Sequence, residues 1–298
     1  MFQTSTTAKH VAWGRAMHTA KLTLAAGTWL LLAIGSVLAA SNAEPQRIRI
    51  EYAKPENPAH QQLYEMLQNH RVLEKLQEIF GPFRLPTDLT IKTIGCNGRS
   101  NAWYWGSELT LCYEYLEEIR QNVPKTTTAA GVSPEDAMVG QFLYVVAHEF
   151  GHAVFSMLDV PSFGNAEDVA DQFSAYMMLL LGKDEAPRLI GGAAYAYKSV
   201  IDNPNVILPI KAFSDVHGLP AQRFYNLLCM AYGANPEMFK DIVDDKYLPK
   251  ERAANCSNEY HQVRSAFQKL IAPHIDKELA AKVLQMEWLS NLKNVPAQ

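Results

Sequence analysis

The sequence has little excess charge, few cysteines and no repeats, and each scarcity narrows what the chain can be. Formal net charge is -4 and the pI is near 6.1, so the basic patch or stripe of a nucleic-acid binder is missing. No low-complexity tract occurs, and no internal repeat at solenoid periods, which excludes stacked-repeat architectures. After residue 43 no apolar run is long enough to span a bilayer; the best candidate, AYMMLLLG at 175–182, is too short. The four cysteines, Cys96, Cys112, Cys229 and Cys256, include no C-x-x-C pair, which weighs against a four-cysteine zinc site. An even number of cysteines suits disulfides in an oxidising compartment. Of the three possible pairings the two local ones, Cys96–Cys112 and Cys229–Cys256, are preferred. The first closes a hairpin-sized loop, worth about 3 kcal/mol in the chain-entropy picture.

What is present begins with a targeting segment. Arg15, His18 and Lys21 precede the apolar run LTLAAGTWLLLAIGSVLAA, and Ser41-Asn42-Ala43 fits a small-x-small cleavage site. The expectation is a signal peptide over 1–43, cleaved to leave Glu44, with translation starting at Met1 or Met17. The alternative is an uncleaved N-terminal anchor. Either way the remainder, 44–298, is expected as a single domain, exported to the periplasm or secreted. With 298 residues in all, 48% of them hydrophobic, it can bury a sizeable core.

Along that domain, strands come first and helices follow. RIRIEY (47–52) alternates as a strand does, and 55–81 has helical periodicity up to Gly81-Pro82. LPTDLTIKTIG (85–95) reads as a second strand, and NAWYW (101–105) with ELTLCYEY (108–115) as a β-hairpin turned near Gly106-Ser107. A short helix is expected over 116–123. Ser133-Pro134-Glu135-Asp136 is a helix start, with Ser133 as N-cap. Helices are then expected at 134–158, 165–182, 186–200, 220–232, 235–244, 257–271 and 276–291. This is an α+β arrangement, a small sheet beside a helical body.

The chemistry lies in VVAHEFGHAV, 145–154. On a helix, His148 and His152 are one turn apart on one face, so two ring nitrogens can reach one zinc ion. Glu149 leans toward the open coordination position, where it can take a proton from water. The flanking Val145, Val146, Ala147, Phe150, Gly151, Ala153 and Val154 are uncharged, so the helix is buried. Buried histidines and a glutamate need partners. A metal supplies one; the plainer reading is a pair of core histidines satisfied by backbone carbonyls.

The third ligand sets the subclass. A metzincin would carry Gly and His where Phe155 and Leu158 stand, so that subclass is excluded. The next helix offers AEDVADQF (166–173), with Glu167 and Asp171 on one face. Glu167 suits a third ligand, Asp168 is the fallback, and Asp171 suits a hydrogen bond to the free nitrogen of a ligating histidine. By itself the pair would be an acidic helix start favoured by the helix dipole. Pro161 and Gly164, between the two motifs, turn one helix back on the other and favour the ligand reading.

H-E-x-x-H followed by E-x-x-A-D resembles the gluzincin metallopeptidases, particularly the small minigluzincin type. Asn101-Ala102 is similar to the Asn-Ala that opens their upper-rim strand, and His217 to Arg223 has their His-x5-Arg spacing. The layout over 90–275 resembles an uncharacterised bacterial family of proposed exported metallopeptidases. One departure is the short spacing from His152 to Glu167. The resemblance implies a zincin-like fold and one Zn²⁺ on His148, His152 and Glu167. It implies Glu149 as the base and a substrate strand paired along Asn101, Ala102 and Trp103, with Trp103, Tyr104 and Trp105 as apolar subsites. His217 is the candidate transition-state donor, with Arg223 orienting it or Glu167; Tyr195, Tyr197 and Tyr225 are its rivals. The partner would be a peptide or protein substrate. The competing reading is a non-catalytic exported protein, with a structural or vestigial zinc site, that binds a protein partner.

Overall fold

The computed structural model describes residues 47–203, 205 and 207–286. The expected signal peptide, and the end of the helix expected over 276–291, lie outside the described residues. What is described is α+β, as the element order implies.

The chain opens with β1 (Ile48–Tyr52), α1 (Gln61–Asn69) and α2 (Val72–Phe80), then β2 (Leu89–Ile94), β3 (Ala102–Trp105), β4 (Glu108–Cys112) and α3 (Tyr113–Gln121). The four strands form one sheet in the order β1-β2-β4-β3. β1, β2 and β4 run parallel, and β3 returns antiparallel to β4 with Ala102 opposite Leu111 and Trp105 opposite Glu108. The hairpin turn at Gly106 needs a positive φ, 64°, which glycine adopts without cost. β3 is therefore an edge strand.

The helical body follows: α4 (Pro134–Met157), α5 (Ala166–Leu180), α6 (Ala186–Tyr195), α7 (Lys198–Ile201), α8 (Pro220–Ala234), α9 (Lys240–Asp244), α10 (Lys250–Ala253), α11 (Cys256–Leu270) and α12 (Lys277–Val283). Among the described residues no helix is long and apolar enough to cross a membrane. α4 is the axis of the core. Ser133 caps it by accepting from the Asp136 amide, and Val146, Phe150, Ala153 and Val154 are fully buried. Phe150 stacks on Phe80 at 4.0 Å between ring centroids, joining α4 to α2 behind the sheet. α4 and α6 touch backbone to backbone: a Cβ at Gly192 would lie 1.8 Å from the Asp136 carbonyl oxygen, and one at Gly140 2.5 Å from that of Leu189. Only glycine permits that approach.

Two disulfides close the molecule, Cys96–Cys112 beside the hairpin and Cys229–Cys256 between α8 and α11, the local pairing expected. Glu114 secures the loop before β3 by accepting the amides of Cys96 and Gly98.

The structure corrects several boundaries. The helix expected over 55–81 is two helices, because Arg71 adopts a left-handed conformation (φ 52°). Tyr52 completes the break: its hydroxyl accepts the Leu73 amide at 2.8 Å and donates to Glu74 at 2.7 Å, capping α2 from the sheet. Apolar periodicity runs through this joint, although α1 buries Leu63 and Leu67 against Tyr113 and Leu116 while α2 buries Leu73, Leu76, Ile79 and Phe80 in the main core. The fourth strand stops at Cys112, where buried Tyr113 begins α3. The helix expected over 186–200 breaks after Tyr195, and that over 235–244 is the single turn of α9.

Candidate active site

α4 ends without glycine. Asp159 adopts φ 50°, the Val160 amide bonds back to the Phe155 carbonyl at 2.9 Å and the Asp159 amide to Ser156. This is a Schellman closure with aspartate in the left-handed position. The chain then reverses, and Asn165 caps α5 by accepting the Glu167 amide at 3.0 Å. α5 packs against α4 where Gly151 faces Phe173; a Cβ there would meet that ring at 3.0 Å. The reversal lays Glu167 and Asp171 along the histidine face of α4.

The side chains converge closely. Glu167 Oε2 lies 3.0 Å from His148 Nε2 and 3.2 Å from His152 Nε2, and the two histidine nitrogens are 3.2 Å apart. His217 joins them, with its Nε2 3.0 Å from the same Glu167 oxygen. Behind His148, Nδ1 meets Asp171 Oδ1 at 2.8 Å. Arg223, in the first turn of α8, grips Asp171 with two bonds of 2.7 and 2.6 Å. Its guanidinium lies over the rings of Tyr144 and Tyr197, 5.9 Å from each centroid. On the other side, Glu149 Oε2 accepts the Tyr104 amide of β3 at 2.9 Å. His148 and Glu149 are buried, at 4% and 9% exposure.

Residues 52–271 match the family described as "Putative metallopeptidase". The chain belongs to this family. No curated protein and no solved structure matches it. Membership of a metallopeptidase family makes the donor cluster the place to look for a metal.

The donor set fits one. Tetrahedral bonds of about 2.0–2.1 Å, as zinc makes to histidine and carboxylate, set neighbouring donors about 3.3 Å apart. His148, His152 and Glu167 are spaced at 3.0–3.2 Å. Both imidazoles could donate to the Glu167 oxygen, but their nitrogens would then face each other at 3.2 Å, a contact that one divalent cation relieves while serving all three.

The electrostatics follow from burial and pairing. Burial is the largest influence on Glu149 and pushes its carboxyl up to about 7, although the His148 charge and the Tyr104 amide pull it down. Burial opposes protonation of His148, but its bonds to Asp171 and Glu167 prevail and raise it to about 9. The His148 hydrogen bond is also the main reason Glu167 falls to about 2. Burial would raise Asp171, yet His148 and Arg223 together hold it well below the carboxylate range. His152 is lowered, by burial first and then by the charge of His148.

The other expected residues are placed as follows. The Asn101 carbonyl accepts the Cys112 amide. In an antiparallel pair alternate residues face the partner strand. Since the Tyr104 amide goes to Glu149, the backbone polar groups of Ala102 and Tyr104 face the open edge. Trp103, 37% exposed, lies on the opposite sheet face from the core and lines a cavity with Lys92, Arg99 and Thr110. Trp105 is exposed and Tyr104 packs on the core. Asp168 lines a groove with Gly218, Gln222, Tyr225 and Arg252. Sequence reasoning missed Asp215, whose carboxylate accepts the His217 amide at 2.9 Å and meets its Nδ1 at 3.1 Å. It also missed Tyr144, which spacing alone could have found, four residues before His148 on the same helix face.

Proposed function

We propose that the protein is an exported, zinc-dependent peptidase of gluzincin type. His148, His152 and Glu167 would hold the zinc, which when bound supplies Lewis acidity toward the scissile carbonyl and toward water. Glu149 is the general base. Burial raises its carboxyl above the ordinary glutamate range, the direction that suits a group that must both take a proton and return it. It takes the proton of the attacking water and passes it to the leaving amine. Asp171 fixes the tautomer of His148 with Nε2 directed at the donors, and Arg223 keeps Asp171 ionised and oriented. His217 stands beside Glu167, where it can stabilise the charge that develops on the carbonyl oxygen. The outward backbone groups of Ala102 and the outward carbonyl of Tyr104 suit a substrate strand added to the sheet edge.

The observation that carries this reading is the placement of Glu149. Among the described residues it is the buried carboxylate beside the donors that is tied to the edge strand rather than to a histidine. A purely structural metal site has no use for it. Export is supported by the leader-like N-terminal sequence and the two disulfides. The test is turnover of a denatured-protein or peptide library by wild type and Glu149→Gln. Cleavage by the wild type that disappears in a variant still loaded with metal supports the proposal. Equal cleavage by both would end it.

A further inference from the structure

His217 sits closer to the donors than a residue that acts only on substrate needs to be. Its Nε2 is 3.0 Å from Glu167 Oε2, as near as His148 Nε2 is. One ligand atom each from His148, Glu167 and His217 lie within 4.8 Å of one another, a group that does not include His152. The ring lies nearly parallel to that of His148, 6.0 Å away at 24°. Asp215 holds Nδ1 at 3.1 Å, leaving Nε2 to face inward. A carboxylate on the far nitrogen of a histidine is the pattern that orients metal ligands, and here it repeats what Asp171 does for His148.

We propose, resting on the metal-site reading above, that His217 is a fourth metal ligand in the resting protein. Two helices and one loop then supply three imidazoles and a carboxylate. Four protein ligands make a closed site, the form that structural metal centres take, whereas a catalytic centre keeps one position open. The resting protein is therefore latent, and substrate must displace His217 before it can reach the metal. The fold makes displacement inexpensive. His217 is 45% exposed and Asp215 63% exposed, and hydrogen-bonded ion pairs so exposed contribute little. The Asn165 side-chain amide also ties the loop by donating to the Val216 carbonyl. His148, His152 and Glu167 keep their places on α4 and α5 when the loop withdraws.

The test is X-ray absorption spectroscopy of the full, zinc-loaded protein without substrate, for wild type, His217→Ala and Glu167→Ala. Wild type should show three imidazoles and His217→Ala two, with zinc Kd weakened tenfold or more. Acetohydroxamate, a bidentate metal-binding probe, should bind His217→Ala about tenfold more tightly than wild type because it no longer competes with the ring. Unchanged thermal unfolding of metal-depleted His217→Ala shows that the fold survives the change. Two imidazoles in wild type and an unchanged zinc Kd in His217→Ala would overturn the fourth ligand. The three-donor reading would still stand in that case if Glu167→Ala loses zinc. A wild type that takes up no zinc would overturn both.

Discussion

Two Asp–His pairs flank the donor cluster, and they differ in almost everything except the bond. Asp171 meets His148 Nδ1 at 2.8 Å and Asp215 meets His217 Nδ1 at 3.1 Å. Asp171 is only 12% exposed, on α5, and carries a two-bonded arginine behind it. Asp215 is 63% exposed on a loop, and what lowers its carboxyl is first the His217 backbone amide and then the ring. The same contact is worth more where water is excluded, because the low dielectric strengthens it and an unpaired group has no solvent to turn to. On the proposed reading one pair is a fixed mounting and the other a latch.

That contrast can be attacked in several ways. The largest effect is expected at the one carboxylate bound to neither histidine. Glu149→Gln should lower turnover by roughly 10²–10⁴-fold, the range for loss of a general base, with metal content unchanged by mass spectrometry. Asp171→Asn breaks the fixed pair and leaves the Arg223 charge short of its partner. Metal affinity should fall about 10–100-fold, measured by chelator competition. Gly192→Ala strikes the packing that holds α4 in place, since its Cβ would overlap the Asp136 carbonyl. Overpacking of this kind costs roughly 1–3 kcal/mol, visible as a lowered midpoint of thermal unfolding. Asp215→Asn should be the mildest, changing metal affinity less than about fivefold, the scale of an exposed ion pair. If Asp215→Asn weakened metal as much as Asp171→Asn does, the distinction between mounting and latch would be wrong.

The sequence was informative where one residue pattern admits one geometry. His148 and His152 share a face on any helix, and Ser133 and Pro134 open α4 where their side chains require it. The local disulfides and the hairpin turn at Gly106-Ser107 were readable for the same reason. What was not legible depends on contacts distant in sequence. The break at Arg71 is stabilised by Tyr52 from another strand, and periodicity carries no trace of that. Arg223 was named through the resemblance to gluzincin peptidases, but that it grips Asp171, rather than Glu167 or His217, is a consequence of how α8 packs on α5. The Tyr104 amide on Glu149 is a backbone group, which no side-chain pattern can announce.

The central claim is that His148, His152 and Glu167 form one metal site. Inductively coupled plasma mass spectrometry of the purified protein, with Glu167→Ala alongside, tests it most directly. One zinc per chain in the wild type, sharply reduced in the variant, is the result expected. A wild type that holds no metal after reconstitution, or a variant that keeps its zinc undiminished, would contradict it.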